Sequence, residues 1–357
     1  MTLIIAEAGV NHNGDEKMAF ALVDAAVAAG ADIVKFQTFN ANALATSGAK
    51  QASYQRKNTG QAESQLDMLR RLELSYDAHI RLQAYCAKRD IGFLSTAFDV
   101  QSLQFLLGPL KLNRLKLPSG EITNAPFVLQ HARAGLPLIV STGMANLAEI
   151  EAALGVIAFG FTAAADAKPS QQAFNQAYAS AQGQLALRQK VTLLHCTTEY
   201  PAPATDINLK AMDNMASAFG LPVGYSDHSA GIHIAIAAAA RGATVLEKHF
   251  TLDKTLPGPD HKASLEPDEL TAMVNAIREV NLALGDGIKR PAPSELANKA
   301  VARKSLVAAC TIRAGETLTD RHIACKRPGN GISPERYWEL LGSQAKSDFN
   351  EGDLLAD

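Results

Sequence analysis

The sequence predicts an α/β chain: a (β/α)8 TIM barrel over residues 1–284, a linker over 285–297 and a small domain over 298–357. Three observations carry this. Eight short apolar runs recur along the chain, each followed by a helical pattern or an irregular segment. Polar and charged residues gather at the carboxyl ends of those runs. After Leu284 the alternation stops.

The runs of strand length are Leu3–Val10, Asp32–Phe39, Gly92–Phe98, Arg114–Ser119, Leu136–Ser141, Lys190–Cys196, Pro222–Asp227 and Thr244–Phe250. Between them, Lys17–Ala29, Tyr76–Lys88, Ala125–Ala134 and Leu147–Ile157 show the three-to-four spacing of amphipathic helices. Ile232–Arg241 is Ala/Ile-rich, of helical length, and closed by Gly242. A doubly wound open sheet is the runner-up architecture. Asn40–Ser75 is a long polar connection, helical over 61–74, and reads either as a lid or as a plain insertion. Residues 160–189 are rich in Ala and Gln and elaborate the region after the fifth strand without visible chemistry. Gly285–Ser294 has the glycine and proline content of a linker. The short runs beyond it predict a compact module, poor in regular structure, that would gain from docking on something larger.

With 34 Lys+Arg against 36 Asp+Glu, no strong field favours nucleic acid or an anionic membrane. Cys86, Cys196, Cys310 and Cys325 are scattered, without CxxC spacing, as expected of reduced thiols in the cytoplasm. The first residues lack a basic n-region, and Glu7 interrupts their apolar run. No stretch reaches the roughly 18 apolar residues of a spanning helix. A cytoplasmic protein that uses neither nucleic acid nor membrane is the expectation.

The strand ends are loaded. Barrel enzymes keep their chemistry at the carboxyl ends of strands, where the mouth is open. There the chain places Glu7, Lys35, Gln37, Thr96, Lys116, Ser119, Glu121, Ser141, Ser226, His228, Glu247 and His249. Lys35 and Gln37 are two apart, as are Glu247 and His249, so each pair shares a strand face. Lys35 and Lys116 would be cations buried in the mouth and must meet anions. With the hydroxyls of Thr96, Ser119, Ser141 and Ser226 they suit a phosphate and a carboxylate. The bland alternative is an internal network of ion pairs with Glu7, Glu121 and Glu247. His228 and His249 end neighbouring parallel strands, which places two imidazoles at one rim; they read either as satisfied structural histidines or as the ligands of an open metal site. Arg327, in a turn stiffened by Pro328, reads equally as a surface arginine and as a finger presented to a ligand.

These residues also fall into a recognisable order. Ile5-Ala-Glu7-Ala-Gly-Val-Asn-His12-Asn-Gly14, Val34-Lys35-Phe-Gln37-Thr38, Ser95-Thr96-Ala-Phe98 and Lys116-Leu-Pro-Ser119-Gly-Glu121 open the series. Ser141-Thr-Gly-Met144, Leu194-His195-Cys-Thr-Thr-Glu-Tyr200-Pro201, Tyr225-Ser-Asp-His228 and Glu247-Lys-His249-Phe-Thr251 continue it. Pro257-Gly-Pro-Asp260 and Lys326-Arg327-Pro-Gly-Asn-Gly331 complete it. Nearly end to end, the chain resembles the N-acetylneuraminate (sialic acid) synthases, and its last module resembles their antifreeze-like (SAF) domain.

The resemblance implies a metal-dependent condensation of phosphoenolpyruvate with N-acetylmannosamine and water, giving N-acetylneuraminate and phosphate. By position it implies phosphoenolpyruvate contacts at Lys35, Thr96, Lys116, Ser119, Ser141 and Ser226. Metal ligation falls on His228 and His249, with Mn2+ expected and Mg2+ or Co2+ possible replacements. Sugar contacts fall on Gln37, Tyr200, Asp260 and Arg327. Glu7 would stand near the metal and its water, and Glu121, as a carboxylate near two lysines, would activate the attacking water. It further implies a homodimer in which one chain's small domain closes the other's barrel and delivers Arg327. Thr198 departs from relatives that carry Asn there and is left outside the set.

Within the class, a legionaminic or pseudaminic acid synthase acting on a 6-deoxy-diacetamido hexose is the alternative. The segment Tyr54–Gly60 and the Thr197-Thr-Glu-Tyr200 run are read as favouring N-acetylmannosamine. Outside it stand a non-catalytic carbohydrate-binding protein and a class II metal aldolase, the latter separable because it would release no phosphate.

Overall fold

Eight parallel strands close into a barrel in sequence order. They are β1 (Leu3–Gly9), β2 (Ile33–Thr38), β3 (Gly92–Ala97), β4 (Leu115–Leu117), β5 (Leu138–Ser141), β6 (Val191–His195), β7 (Val223–Asp227) and β8 (Val245–His249). Each lies inside one of the apolar runs. The computed structural model describes residues 1–59 and 63–356. The chain divides into two units, Met1–Gly285 and Asp286–Asp357. No helix among the described residues is long and apolar enough to cross a membrane.

The helices form where the pattern demands. Asp15 caps helix Glu16–Ala28 by accepting the Lys17 N–H, and Ala19, Leu22, Val23 and Ala26 turn inward at helical spacing. Leu270, Met273, Val274 and Ile277 do the same on helix Pro267–Ala283. One large apolar core joins these faces to the strands. Helix Leu147–Thr162 runs five residues beyond the expected Ile157 end (162 − 157). Its extra turn is covered by helix Gln171–Ala179, with Phe159 and Phe174 packed edge to face at 5.3 Å.

The 40–75 connection is more structured than a loop. It carries helices Ala41–Leu44, Ser53–Thr59 and Gln65–Leu72. Gly60, which closes the segment read as favouring N-acetylmannosamine, and residues 61–62 of the expected helix lie outside the described residues.

Residues 293–297, expected as linker, are instead the first half of helix Pro293–Ala302. Proline suits a first helical turn, where its missing N–H has no partner to lose, and Glu295 accepts the Ala292 N–H at 2.7 Å. The proline pair that reads as a linker is equally a helix start. Beyond it, β9 (Ser305–Ala308) and β10 (Ile323–Lys326) pair antiparallel over a small core of their own that includes Leu306, Ile312, Leu318 and Phe349.

Candidate active site

Register builds the site. Glu7 on β1 stands opposite Lys35 on β2 and His249 on β8. Gln37 faces Thr96, Thr96 faces Lys116, and Ser226 faces Glu247. Inward residues of neighbouring strands therefore meet at one level of the mouth. At Gly9 the ladder slips and φ is +54°. A Cβ there would sit 3.3–3.4 Å from Glu7, Gln37 and His249, so glycine keeps these three side chains close together.

The lysines are paired in a buried network. Lys35 Nζ is 2.7 Å from Glu7 Oε2 and 3.6 Å from Glu247 Oε2, and donates to Thr96 Oγ1 at 2.9 Å. Lys116 Nζ donates to both oxygens of Glu247, at 2.9 and 3.1 Å. The carboxylate beside the two lysines is thus Glu247, correcting the expectation for Glu121. Glu121 follows β4 in a one-turn helix, Ser119–Glu121, beyond the strand end, and its Oε2 accepts from Asn124 at 2.7 Å. Burial would raise the Glu247 carboxyl, but Lys116 and Lys35 hold it far below the ordinary range. Burial, opposed by Lys35, lifts Glu7 to about 7, with Glu247 adding to the rise.

His228 has a set tautomer. Its Nδ1 lies 2.6 Å from the Thr197 carbonyl oxygen, which only accepts, so Nδ1 carries the proton and Nε2 offers a lone pair. The Ser226 hydroxyl donates to Glu247 at 2.8 Å, leaving the Tyr200 hydroxyl, 3.1 Å from Nε2, as the donor to the ring. Tyr200 also stacks on His228 with centroids 4.1 Å apart. His249 keeps a buried Nδ1 with no hydrogen-bond partner and Asp260 Oδ2 at 3.9 Å. Burial lowers His228 to about 4 and His249 well below its usual value, so both rings are neutral at pH 7.

These rings fit one shared divalent ion. Their centroids are 5.6 Å apart. A ring centroid lies about 3.2 Å from an ion held by its nitrogen, so two rings can share one up to about 6.4 Å. Among the described residues no group of three or more His, Cys, Asp or Glu could hold a metal. A site on this pair would therefore keep positions for water and substrate oxygens, unlike a closed structural site.

A cavity of about 320 Å³ opens beside the network. Gln37, Glu121, Tyr200, His249 and Asp260 line it, together with apolar residues of the 40–75 segment. Burial raises the Asp260 carboxyl to about 6. Ser141 is buried at the end of β5, and Ser119, Cys196 and Thr198 crowd the bare Cα of Gly143. Arg327 lies in the C-terminal unit, where its Nε donates to the Ala302 carbonyl at 2.9 Å.

Sequence reasoning placed Glu247 on the inward face by its offset from His249 and left its partners open between a ligand and an internal network. It missed the contacts of two further pairs. Tyr54 and Asn58, on helix Ser53–Thr59, reach the rim: Tyr54 lies 5.0 Å from the Tyr200 ring, and Asn58 donates to the carbonyls of Pro259 and Tyr200. Asp227 and Lys248 form a fully buried ion pair behind the histidines. No local signal marks either feature, because each depends on long-range packing.

The NeuB family model matches residues 22–289 and the SAF domain model residues 303–357. The chain is 49% identical to an N,N'-diacetyllegionaminic acid synthase of Campylobacter jejuni, over 100% of this chain and 99% of that one. It is 43% identical to an N,N'-diacetyllegionaminic acid synthase of Legionella pneumophila, over 99% and 92%. A crystal structure of an N-acetylneuraminic acid (sialic acid) synthetase from Leptospira borgpetersenii, in complex with citrate, is 32% identical with a TM-score of 0.66, covering 83% of this chain and 90% of that one. The chain belongs to the NeuB family, of sialic acid synthase type with a C-terminal SAF domain, and is a transferase.

Proposed function

We propose that the protein condenses phosphoenolpyruvate with a 6-deoxy-diacetamido hexose and water, giving a diacetamido nine-carbon 2-keto acid and phosphate, as an N,N'-diacetyllegionaminic acid synthase. The single observation that carries this is 49% identity over the whole chain to a relative of that name, against 32% to the sialic acid synthetase. It reverses the order in which the sequence reading put the two sugars. N-acetylmannosamine came first there, on the Tyr54–Gly60 segment and the Thr197–Tyr200 run.

The residues suit the reaction. Lys35 and Lys116, with Thr96, Ser119, Ser141 and Ser226, bind the phosphate and carboxylate of phosphoenolpyruvate. Before binding, Glu7 and Glu247 hold these ammoniums charged and in place. Gln37, Tyr200 and Asp260 orient the sugar. His228 and His249 would hold a divalent ion, Mn2+ first and Mg2+ or Co2+ otherwise, which when bound polarises the sugar aldehyde as a Lewis acid. Carbon 3 of the enol then bonds to the aldehyde carbon, and the aldehyde oxygen takes a proton. Water adds at carbon 2, giving up its proton to Glu121, which lines the cavity and is free of the lysine network. Breakage of the bond from carbon 2 to the phosphate oxygen yields the ketone and inorganic phosphate. Glu7, near neutrality, is placed to hold or return a proton beside His249. Two chains exchanging their SAF domains, with Arg327 delivered to the partner's mouth, complete this reading.

Phosphate release from phosphoenolpyruvate, measured with each sugar in turn, tests it. Turnover is expected with the diacetamido hexose and at least tenfold less with N-acetylmannosamine. The reverse order would overturn the choice of sugar. Aldol product without phosphate would overturn the reaction.

A further inference from the structure

Eight apolar side chains, Pro259 among them, line the cavity beside the polar groups of the mouth. Val10, Phe39, Met68 and Leu72 pack into one buried cluster, and Leu44, Leu69 and Phe98 lie against it. The buried four seat helix Gln65–Leu72 on the rim. Leu44, Leu69 and Phe98 remain partly exposed, and the cavity is what they face. They come from three places, helix Ala41–Leu44, helix Gln65–Leu72 and the residue after β3, and the wall they make shares the lining of this cavity with Gln55 and Gln65.

We infer that Leu44, Leu69 and Phe98 select the acceptor by receiving the methyl group at the end of the sugar remote from its aldehyde. This rests on the proposed reaction. The cavity, at about 320 Å³, is at the small end of ligand pockets, which run from roughly 300 to 1,000 Å³. A hexose with its aldehyde at His249 therefore has its far end against the wall. A hydroxymethyl group there would lose its water and find no acceptor or donor among three hydrocarbon side chains. A methyl loses nothing and removes apolar surface from water. An apolar pocket discriminates by about 10- to 200-fold per methyl-sized difference.

The test compares kcat/KM for the 6-deoxy-diacetamido hexose and for N-acetylmannosamine in the full chain and in Leu69→Gln and Leu44→Gln. Both leucines are partly exposed, so polar replacements keep the fold, and an unchanged KM for phosphoenolpyruvate verifies this in each variant. Each variant is expected to shift the preference toward N-acetylmannosamine by about tenfold, equivalent to about 1.4 kcal/mol, mostly in KM for the sugar. Equal loss with both sugars would show that the wall only seats the helix, and would overturn the inference. Absence of turnover with the diacetamido hexose in the unaltered protein would instead overturn the proposed reaction.

Discussion

Lys248 Nζ lies 2.9 Å from Asp227 Oδ2, both side chains are wholly buried, and each residue immediately precedes one of the two rim histidines. Asp227 also accepts from the N–H and hydroxyl of Ser229, at 2.9 and 2.7 Å, and Lys248 donates to the Ser229 carbonyl at 2.5 Å. The chain on either side of His228 is thereby tied to the residue before His249. Lys248→Met leaves Asp227 buried without its partner and is expected to lower stability by about 3–5 kcal/mol. It should also weaken binding of the proposed divalent ion, with Mn2+ as the probe, about tenfold or more by loosening the spacing of the rings. Asp227→Asn with Lys248→Met should regain most of the stability. Chemical denaturation and calorimetric metal titration check these outcomes.

In the proposed reaction Lys116 and Lys35 bind the anion, and of the two only Lys116 spans both oxygens of Glu247. Lys116→Met is expected to reduce kcat/KM for phosphoenolpyruvate by about 10²–10³, the usual effect of removing one preorganised charged donor. Lys35 keeps its bond to Glu7 in that variant, so the far-ultraviolet dichroism spectrum should not change. Steady-state phosphate release reads the result.

Most of the barrel and much of the mouth were legible because both obey local periodicities. An apolar run with polar residues only at its carboxyl end marks a strand and its direction, and a two-residue offset marks a shared face. That logic brings Glu7, Lys35, Gln37, Glu247 and His249 together without tertiary information. It failed where placement depends on what happens after a strand ends. Glu121 is close in sequence to Lys116 but turns away in a one-turn helix toward Asn124. The same limit hid Asn58, whose partners lie more than 140 positions away, and the helix that begins at Pro293.

Asn58 ties the 40–75 segment to the side of the mouth proposed to hold the sugar, through the Pro259 carbonyl at 2.7 Å and the Tyr200 carbonyl at 3.4 Å. Asn58→Ala removes a contact worth about 1 kcal/mol. It is expected to raise KM for the sugar about fivefold and to leave KM for phosphoenolpyruvate unmoved. Initial rates with each substrate varied in turn distinguish this from general damage, which would raise both.

Stability should fall in mild acid through buried neutral histidines remote from the mouth. Burial lowers His131 to about 4, and its Nδ1 donates to the Phe127 carbonyl at 2.9 Å. The unfolded chain protonates this ring near 6.5 while the folded one resists until about 4. Its contribution is therefore complete above pH 6.5 and is lost as pH falls toward 4, on the order of 2–4 kcal/mol in all. Thermal unfolding from pH 7.5 to 4.5 should show a falling Tm, and His131→Phe should flatten the fall.

Single-turnover reaction in oxygen-18 water, with mass spectrometry of both products, reaches the proposed chemistry most directly. A nine-carbon acid bearing both acetamido groups, accompanied by phosphate free of label, is the expected result, since water enters at carbon 2 and the phosphate keeps its bridging oxygen. Labelled phosphate, or no diacetamido nine-carbon acid, would contradict it.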